Sequence, residues 1–194
     1  MNTSRLRTLT LLTALTAGLS ACGGSNGNDG AHVDLGGTVS GLTTSGLVLR
    51  SGTVALPVAA GATTFMFSEQ VATGYLYAVT VLTQPTDATC TVANGSGTAN
   101  RENITSVQVT CAANGTLGGT VSNLTGSGLV LANGNHTVAV GAGSTDFTFP
   151  SKISPGLAYG VTILTQPAGQ TCTVANGAGT MPSADVTTVA VSCQ

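Results

Sequence analysis

Gly36–Cys111 and Gly118–Cys193 are one unit written twice, in gapless register at a constant offset of 82 (118 − 36). More than half of the aligned positions are identical. Gly36-Gly37-Thr38-Val39-Ser40 returns as Gly118-Gly119-Thr120-Val121-Ser122, Thr83-Gln84-Pro85 as Thr165-Gln166-Pro167, and Thr89-Cys90-Thr91-Val92-Ala93-Asn94-Gly95 as Thr171-Cys172-Thr173-Val174-Ala175-Asn176-Gly177. The unit is longer than a typical solenoid repeat and large enough for a small core, so each copy must close on itself as a domain. The chain therefore divides into 1–21, a leader; 22–35, a Gly/Asn/Ser-rich flexible tether; 36–111, the first repeat; 112–117, a linker; and 118–194, the second repeat.

Within each unit the pattern is that of short strands. In the first copy, strands are expected near 37–42, 47–50, 54–58, 64–67, 75–83, 90–93 and 105–111, and no segment has a helical apolar period. Phe65 and Phe67 stand two apart, as do Phe147 and Phe149, so each pair faces one side of a strand. Tyr75, Tyr77, Val79 and Val81 share a face in the same way, matched by Leu157, Tyr159, Val161 and Ile163, which assigns both Tyr75 and Tyr77 to the core. Seven short strands at about ten-residue spacing predict an all-β chain: two tandem, Ig-like or prealbumin-like antiparallel β-sandwiches.

Four of the five cysteines lie in the repeats, two per copy and 21 apart (111 − 90 and 193 − 172). Three pairings exist on paper, and only Cys90 with Cys111 and Cys172 with Cys193 makes each copy complete. A hairpin centred near Asn100 and Arg101 sets Cys90 opposite Cys111 and Val92 opposite Val109. Zinc is the rival reading of four thiols, but neither a CxxC nor a paired histidine accompanies them.

At the N-terminus, Arg5 and Arg7 precede an interrupted apolar run from Leu6 to Leu19, and Leu19-Ser20-Ala21-Cys22 follows. The run is shorter than the roughly 20 residues a spanning helix needs. Basic region, apolar region and small residues before a cysteine together resemble the bacterial lipobox. That resemblance implies cleavage before Cys22, acylation of the new N-terminal cysteine, and attachment to the lipid bilayer by acyl chains. One chain binds reversibly at about 0.8 kcal/mol per buried CH₂, whereas several hold durably. Gly23, in place of the aspartate that retains enteric lipoproteins in the inner membrane, implies an outer-membrane destination in a Gram-negative cell.

The repeat itself, through GGTVSGL, SGLVL, the F-x-F pair, TQP and TCTVANGxGT, resembles a cysteine-containing β-sandwich-like repeat of secreted proteins and lipoproteins of proteobacteria. More loosely, Gly-x-Val, F-x-F and Gly74-x-x-Tyr77-x-Val79-Thr80 look like the prealbumin-like sandwich of carboxypeptidase regulatory domains, which lacks the cysteine hairpin. The resemblance implies an extracytoplasmic, non-catalytic module and carries over no catalytic residue.

Composition narrows the partners. From Cys22 onward three cations (5 − 2, after Arg5 and Arg7) face seven carboxylates, 3 − 7 = −4, so no basic patch is offered to nucleic acid or anionic lipid. Charged residues are only 6% of the chain, and solvation must come from hydroxyls and amides. The positions identical in both copies include no charged residue and no histidine. Chemistry would have to rest on residues peculiar to one copy, such as His136 with Asp146; His32 lies in the tether. No calcium loop or paired acid/base carboxylates appear, so no catalytic residue, metal site or cofactor is assigned.

The expectation is a membrane-anchored envelope lipoprotein acting as a structural or interaction module. A ligand-binding or adhesin-like module recognising a peptide or glycan is the alternative. It would use the divergent segments 50–57 and 132–139, or the turns 68–74 and 150–156. An assembly component offering an edge strand to an envelope protein is a third reading.

Overall fold

A computed structural model of the chain describes residues 30–194, and Cys22 lies outside them. The first repeat contributes β1 (His32–Val33), β2 (Leu35–Ser40), β3 (Val48–Ser51), β4 (Val54–Pro57), β5 (Thr64–Met66), β6 (Val71–Ala72), β7 (Leu76–Thr83), β8 (Ala88–Ala93), β9 (Ser96–Thr98) and β10 (Ile104–Ala113). The second contributes β11 (Leu117–Ser122), β12 (Leu129–Asn133), β13 (His136–Val140), β14 (Asp146–Thr148), β15 (Ala158–Thr165), β16 (Cys172–Ala175), β17 (Ala178–Thr180) and β18 (Val186–Cys193). Each repeat is a sandwich of two four-stranded sheets: β5-β2-β10-β8 on β4-β3-β7-β9, then β14-β11-β18-β16 on β13-β12-β15-β17.

The inward faces follow the alternation of the sequence. Leu47, Leu49, Phe65, Phe67, Val79, Val107 and Val109 fill the first core, and Leu129, Leu131, Phe147, Phe149, Val161, Val189 and Val191 the second. Each F-x-F pair packs edge to face with ring centroids 5.9 Å apart, a geometry that suits the ring quadrupoles. Both disulfides join directly opposed residues, Cys90 to Cys111 and Cys172 to Cys193, with all four cysteines buried. Val92 stands opposite Val109 as the hairpin register requires.

The strand order departs from a purely antiparallel sandwich in one respect. The first long strand and the last of each repeat, β2 with β10 and β11 with β18, run parallel. Between β8 and β10 the chain does not turn back directly. It crosses to the facing sheet, where β9 pairs antiparallel with β7. The Gly-Gly pair serves this arrangement because β2 lies pressed between two backbones. A Cβ at Gly36 would sit 2.5 Å from the Phe65 carbonyl oxygen, and one at Gly37 would collide with the carbonyl of Val107, where β10 bulges.

Tyr75 is not a core residue. It lies in the turn before β7, 70% exposed, and its counterpart Leu157 is 57% exposed. Only Tyr77 and Tyr159 are packed against the cores.

The described end of the interval read as tether, and the linker, belong to the domains. Val33 and Leu35 are buried in the first core, and β1 pairs with β6 through Val33 and Val71. At the equivalent place in the second repeat, Gly115 and Ile153 exchange two N–H···O=C bonds at 2.9 Å. Asn114-Gly115 is thus the second copy of His32-Val33, and the repeats abut. β10 runs to Ala113, and two residues later Gly115 already pairs within the following sandwich.

The joint this creates is polar. Asn114 donates its N–H to the Asp87 carbonyl (2.8 Å), and Thr89 Oγ1 donates to Asn114 Oδ1 (2.8 Å). With its own hydrogen so placed, Thr89 accepts from the Ser154 hydroxyl at 2.6 Å. Lys152 Nζ lies 3.0 Å from Asp87 Oδ2. Asp87, Lys152 and Ser154 are replaced in the other copy by Gly169, Gln70 and Ala72, so these groups occur only where two repeats meet.

Candidate functional site: a groove open in one repeat and closed in the other

A groove of about 780 Å³ opens at one end of the first sandwich. Its walls come from four places: the β3–β4 turn, Ser51 to Val54; the segment Glu69 to Ala72; the start of β7, Tyr75 to Ala78; and Ser96 and Gly97 of β9. Two of the segments singled out in the sequence, 50–57 and 68–74, therefore meet here. The floor is Leu35 and Phe67. Leu76 is 81% exposed at the rim beside Tyr75, an apolar pair that burial against water alone would not leave uncovered. Glu69 is the one charged side chain in the lining, and no cation faces it there.

The same place in the second repeat is a depression of about 230 Å³, bounded by Asn133, His136, Ser151, Lys152 and Leu157. Two side-chain bonds draw it closed. Asn133 Oδ1 accepts the Gly160 N–H at 2.8 Å, and Ser151 Oγ lies 3.0 Å from His136 Nδ1. At the offset of 82 these residues are Ser51, Ala78, Glu69 and Val54 in the first repeat. Serine has no amide to reach across, and valine cannot bond to a carboxylate. The open groove is therefore a product of side-chain chemistry on one shared backbone.

The other nominated residues separate. His136 opens β13 with its ring on Ser151, whereas Asp146 opens β14, accepts from Thr145 Oγ1 and lines a different depression with Thr116 and Phe147. No His136–Asp146 pair is assembled. His32 is exposed on β1. Among the described residues no group of three or more His, Cys, Asp or Glu is placed to hold a metal ion. One carboxylate has a displaced pKa. Asp185 is held below the ordinary value of 3.8, chiefly because it accepts the Thr116 N–H at 2.7 Å, then by the Thr116 hydroxyl and the charge of Lys152. It braces the start of β11.

Reasoning from the sequence missed Tyr75 and Leu76 as rim residues. The signal available was divergence: they are replaced by Leu157 and Ala158, next to Tyr77, Val79 and Thr80, which recur in both copies.

No family model matches the chain, and no curated protein matches it. Among solved structures it is similar to the major pilin protein T-13 from Streptococcus pyogenes serotype GAS131465, at 13% identity over 84% of this chain and 96% of that one, with a TM-score of 0.26. A likeness of that extent does not bear on what the chain does.

Proposed function

We propose that the chain is an acylated envelope lipoprotein, held to the outer membrane of a Gram-negative cell through Cys22, whose two sandwiches form a non-catalytic structural or interaction module. The observation that carries the reading is the pair of unequal grooves. One framework has been duplicated, and one copy has its concavity tied shut while the other keeps it open and apolar. Supporting it, the positions common to both repeats hold no charge or histidine, and among the ionisable groups that differ Asp87 and Lys152 pair at the joint, Asp185 accepts a backbone hydrogen bond and Glu69 lines the groove. Catalysis draws on tuned ionisable groups or a metal, so a framework without them is suited to contact.

A second reading, recognition of a glycan, is favoured by one residue, Tyr75, whose exposed ring stands at the groove mouth as a stacking surface for a sugar.

The anchoring half is tested by metabolic labelling with a palmitate analogue followed by membrane fractionation. Label in the outer membrane that disappears with Cys22→Ala is expected. Label that persists in that variant, or that stays in the inner membrane, defeats it. The module half is tested by pulldown from intact envelopes with residues 23–194. Turnover of a substrate abolished by His136→Ala or Asp146→Ala would overturn the non-catalytic reading.

A further inference from the structure

The groove of the first repeat ends against an unfinished sheet. β7 pairs with β9 through alternate residues: Tyr75 accepts at its carbonyl from the Ala99 N–H (2.8 Å), and Val79 donates its N–H to Gly95 (2.6 Å). The backbone groups of Leu76 and Ala78 therefore point the opposite way, toward the side where β3 would lie. β3 stops at Ser51, opposite Val79. Beyond that point the groove occupies the position of a strand.

The second repeat shows what belongs there. Its Asn133 side-chain carbonyl accepts the Gly160 N–H, standing where the carbonyl of an added strand would stand. Ser51 supplies no such group, and no side chain among the described residues takes up the equivalent Ala78 N–H. Charge distinguishes the two places as well. Glu69 is the sole charge in the open lining, and its counterpart is the neutral Ser151, with Lys152 next to it in the closed one.

We infer that the groove of the first repeat accepts an extended peptide strand of a partner protein, one that adds to the β7 edge at Leu76–Ala78. The strand carries an apolar side chain over Val54 and Phe67 and a lysine or arginine facing Glu69. Strand addition draws affinity from main-chain bonds and specificity from pockets for alternate side chains, and this groove offers an N–H, an apolar floor and one carboxylate. The inference deepens the interaction-module reading and rests on it. Acylation at Cys22 is independent of it, so the two can fail separately.

The test is selection of a random nonapeptide display library on residues 23–194, followed by titration of synthetic winners. The control is Ser51→Asn/Val54→His/Glu69→Ser, which gives the first repeat the closing residues of the second. Winners should carry a basic residue among alternating apolar ones. They should lose roughly tenfold or more in affinity on the triple variant and on N-methylation of alternate peptide nitrogens, as expected when backbone hydrogen bonds are removed. Glu69→Gln alone should weaken the same peptides and reduce their salt dependence, which keeps the test valid if the triple variant unfolds. The inference is overturned if no peptide is enriched, if winners bind the triple variant as well as the parent, or if N-methylation is without effect. A glycan-array signal lost with Tyr75→Ala in the absence of enriched peptides overturns it in favour of carbohydrate.

Discussion

The side-chain amide of Gln84 and the backbone of Cys90 exchange two hydrogen bonds, Cys90 N–H to Oε1 at 2.7 Å and Nε2–H to the Cys90 carbonyl at 3.0 Å. Gln166 and Cys172 repeat the exchange at 2.8 and 3.1 Å. Gln84 follows β7 in one sheet, and Cys90 lies on β8, the edge of the other. The amide thus acts as a one-residue strand. It satisfies the outward groups of the disulfide-bearing edge and fastens it to the facing sheet.

Gln84→Ala should therefore lower the stability of the first sandwich by about 1–3 kcal/mol, since two part-buried backbone groups lose their partners together. Gln84→Glu should recover only part of this at neutral pH, because a carboxylate accepts the N–H but cannot donate to the carbonyl. Urea denaturation followed by circular dichroism measures both. Equal stability of the alanine variant and the parent would show that water replaces the amide at no cost.

The disulfides divide the same way. Closing a loop of this length stabilises by roughly 3 kcal/mol in the chain-entropy model. Cys90→Ala/Cys111→Ala should lower the melting temperature of the first sandwich and leave the second transition nearly in place, to the extent that the joint does not couple them. Non-reducing peptide mapping should find Cys90 joined to Cys111 and Cys172 to Cys193 in protein secreted to an oxidising compartment, with no peptide crossing between repeats.

These clamps were legible in the sequence to different depths. The cysteine register was, because Cys90 with Cys111 and Val92 with Val109 can only oppose one another in phase. The parallel pairing of β2 with β10 was not, since inward–outward alternation is the same for either direction of a neighbour. β9 was invisible because Ser96-Gly97-Thr98 holds no apolar residue. It is held instead by the Tyr77 ring, which lies so close over Gly97 that a Cβ there would meet its hydroxyl at 2.9 Å. Tyr75 was misplaced because its spacing matches Tyr77 and Val79, whereas the turn at Gly74, with φ of 89°, delays the strand to Leu76. For the groove, divergence between copies marked the segments, but its opening depends on whether residue 51 carries an amide, a contact that only the folded register reveals.

Acid should act on the second sandwich through Asp185. Its pKa is depressed by the Thr116 N–H, the Thr116 hydroxyl and Lys152, so the stability it contributes is present above the unfolded value of 3.8 and is lost as pH falls through the lower folded value. Asp185→Asn should flatten that acid limb, because the part of the stability that depends on the charge is then missing at neutral pH as well. Asparagine can still accept the bond, as Asn103 does from the Asp34 N–H at 2.9 Å in the first repeat. Asp185→Ala should lose the bond at every pH. Urea midpoints across the acid range decide the matter, and an asparagine variant with the parent's acid limb would assign the dependence to another carboxylate.

Asp87 holds a left-handed backbone with φ of 58°, and its counterpart Gly169 has φ of 71°. The same turn is solved by an aspartate in one copy and a glycine in the other, two of the residue types that tolerate this region. Two effects compete when Asp87 is replaced. The ion pair with Lys152 is exposed at 39% and 53% and contributes at most about 1 kcal/mol, whereas a left-handed alanine costs about 1–2 kcal/mol. Asp87→Gly should consequently leave stability within about 1 kcal/mol of the parent, and Asp87→Ala should lose more than the glycine variant does. Asp87→Asn, which keeps the backbone preference and removes the charge, isolates the ion pair, and its deficit should shrink in high salt. If alanine proved as stable as glycine, backbone strain at the joint would be excluded as the reason these two residue types occupy the position.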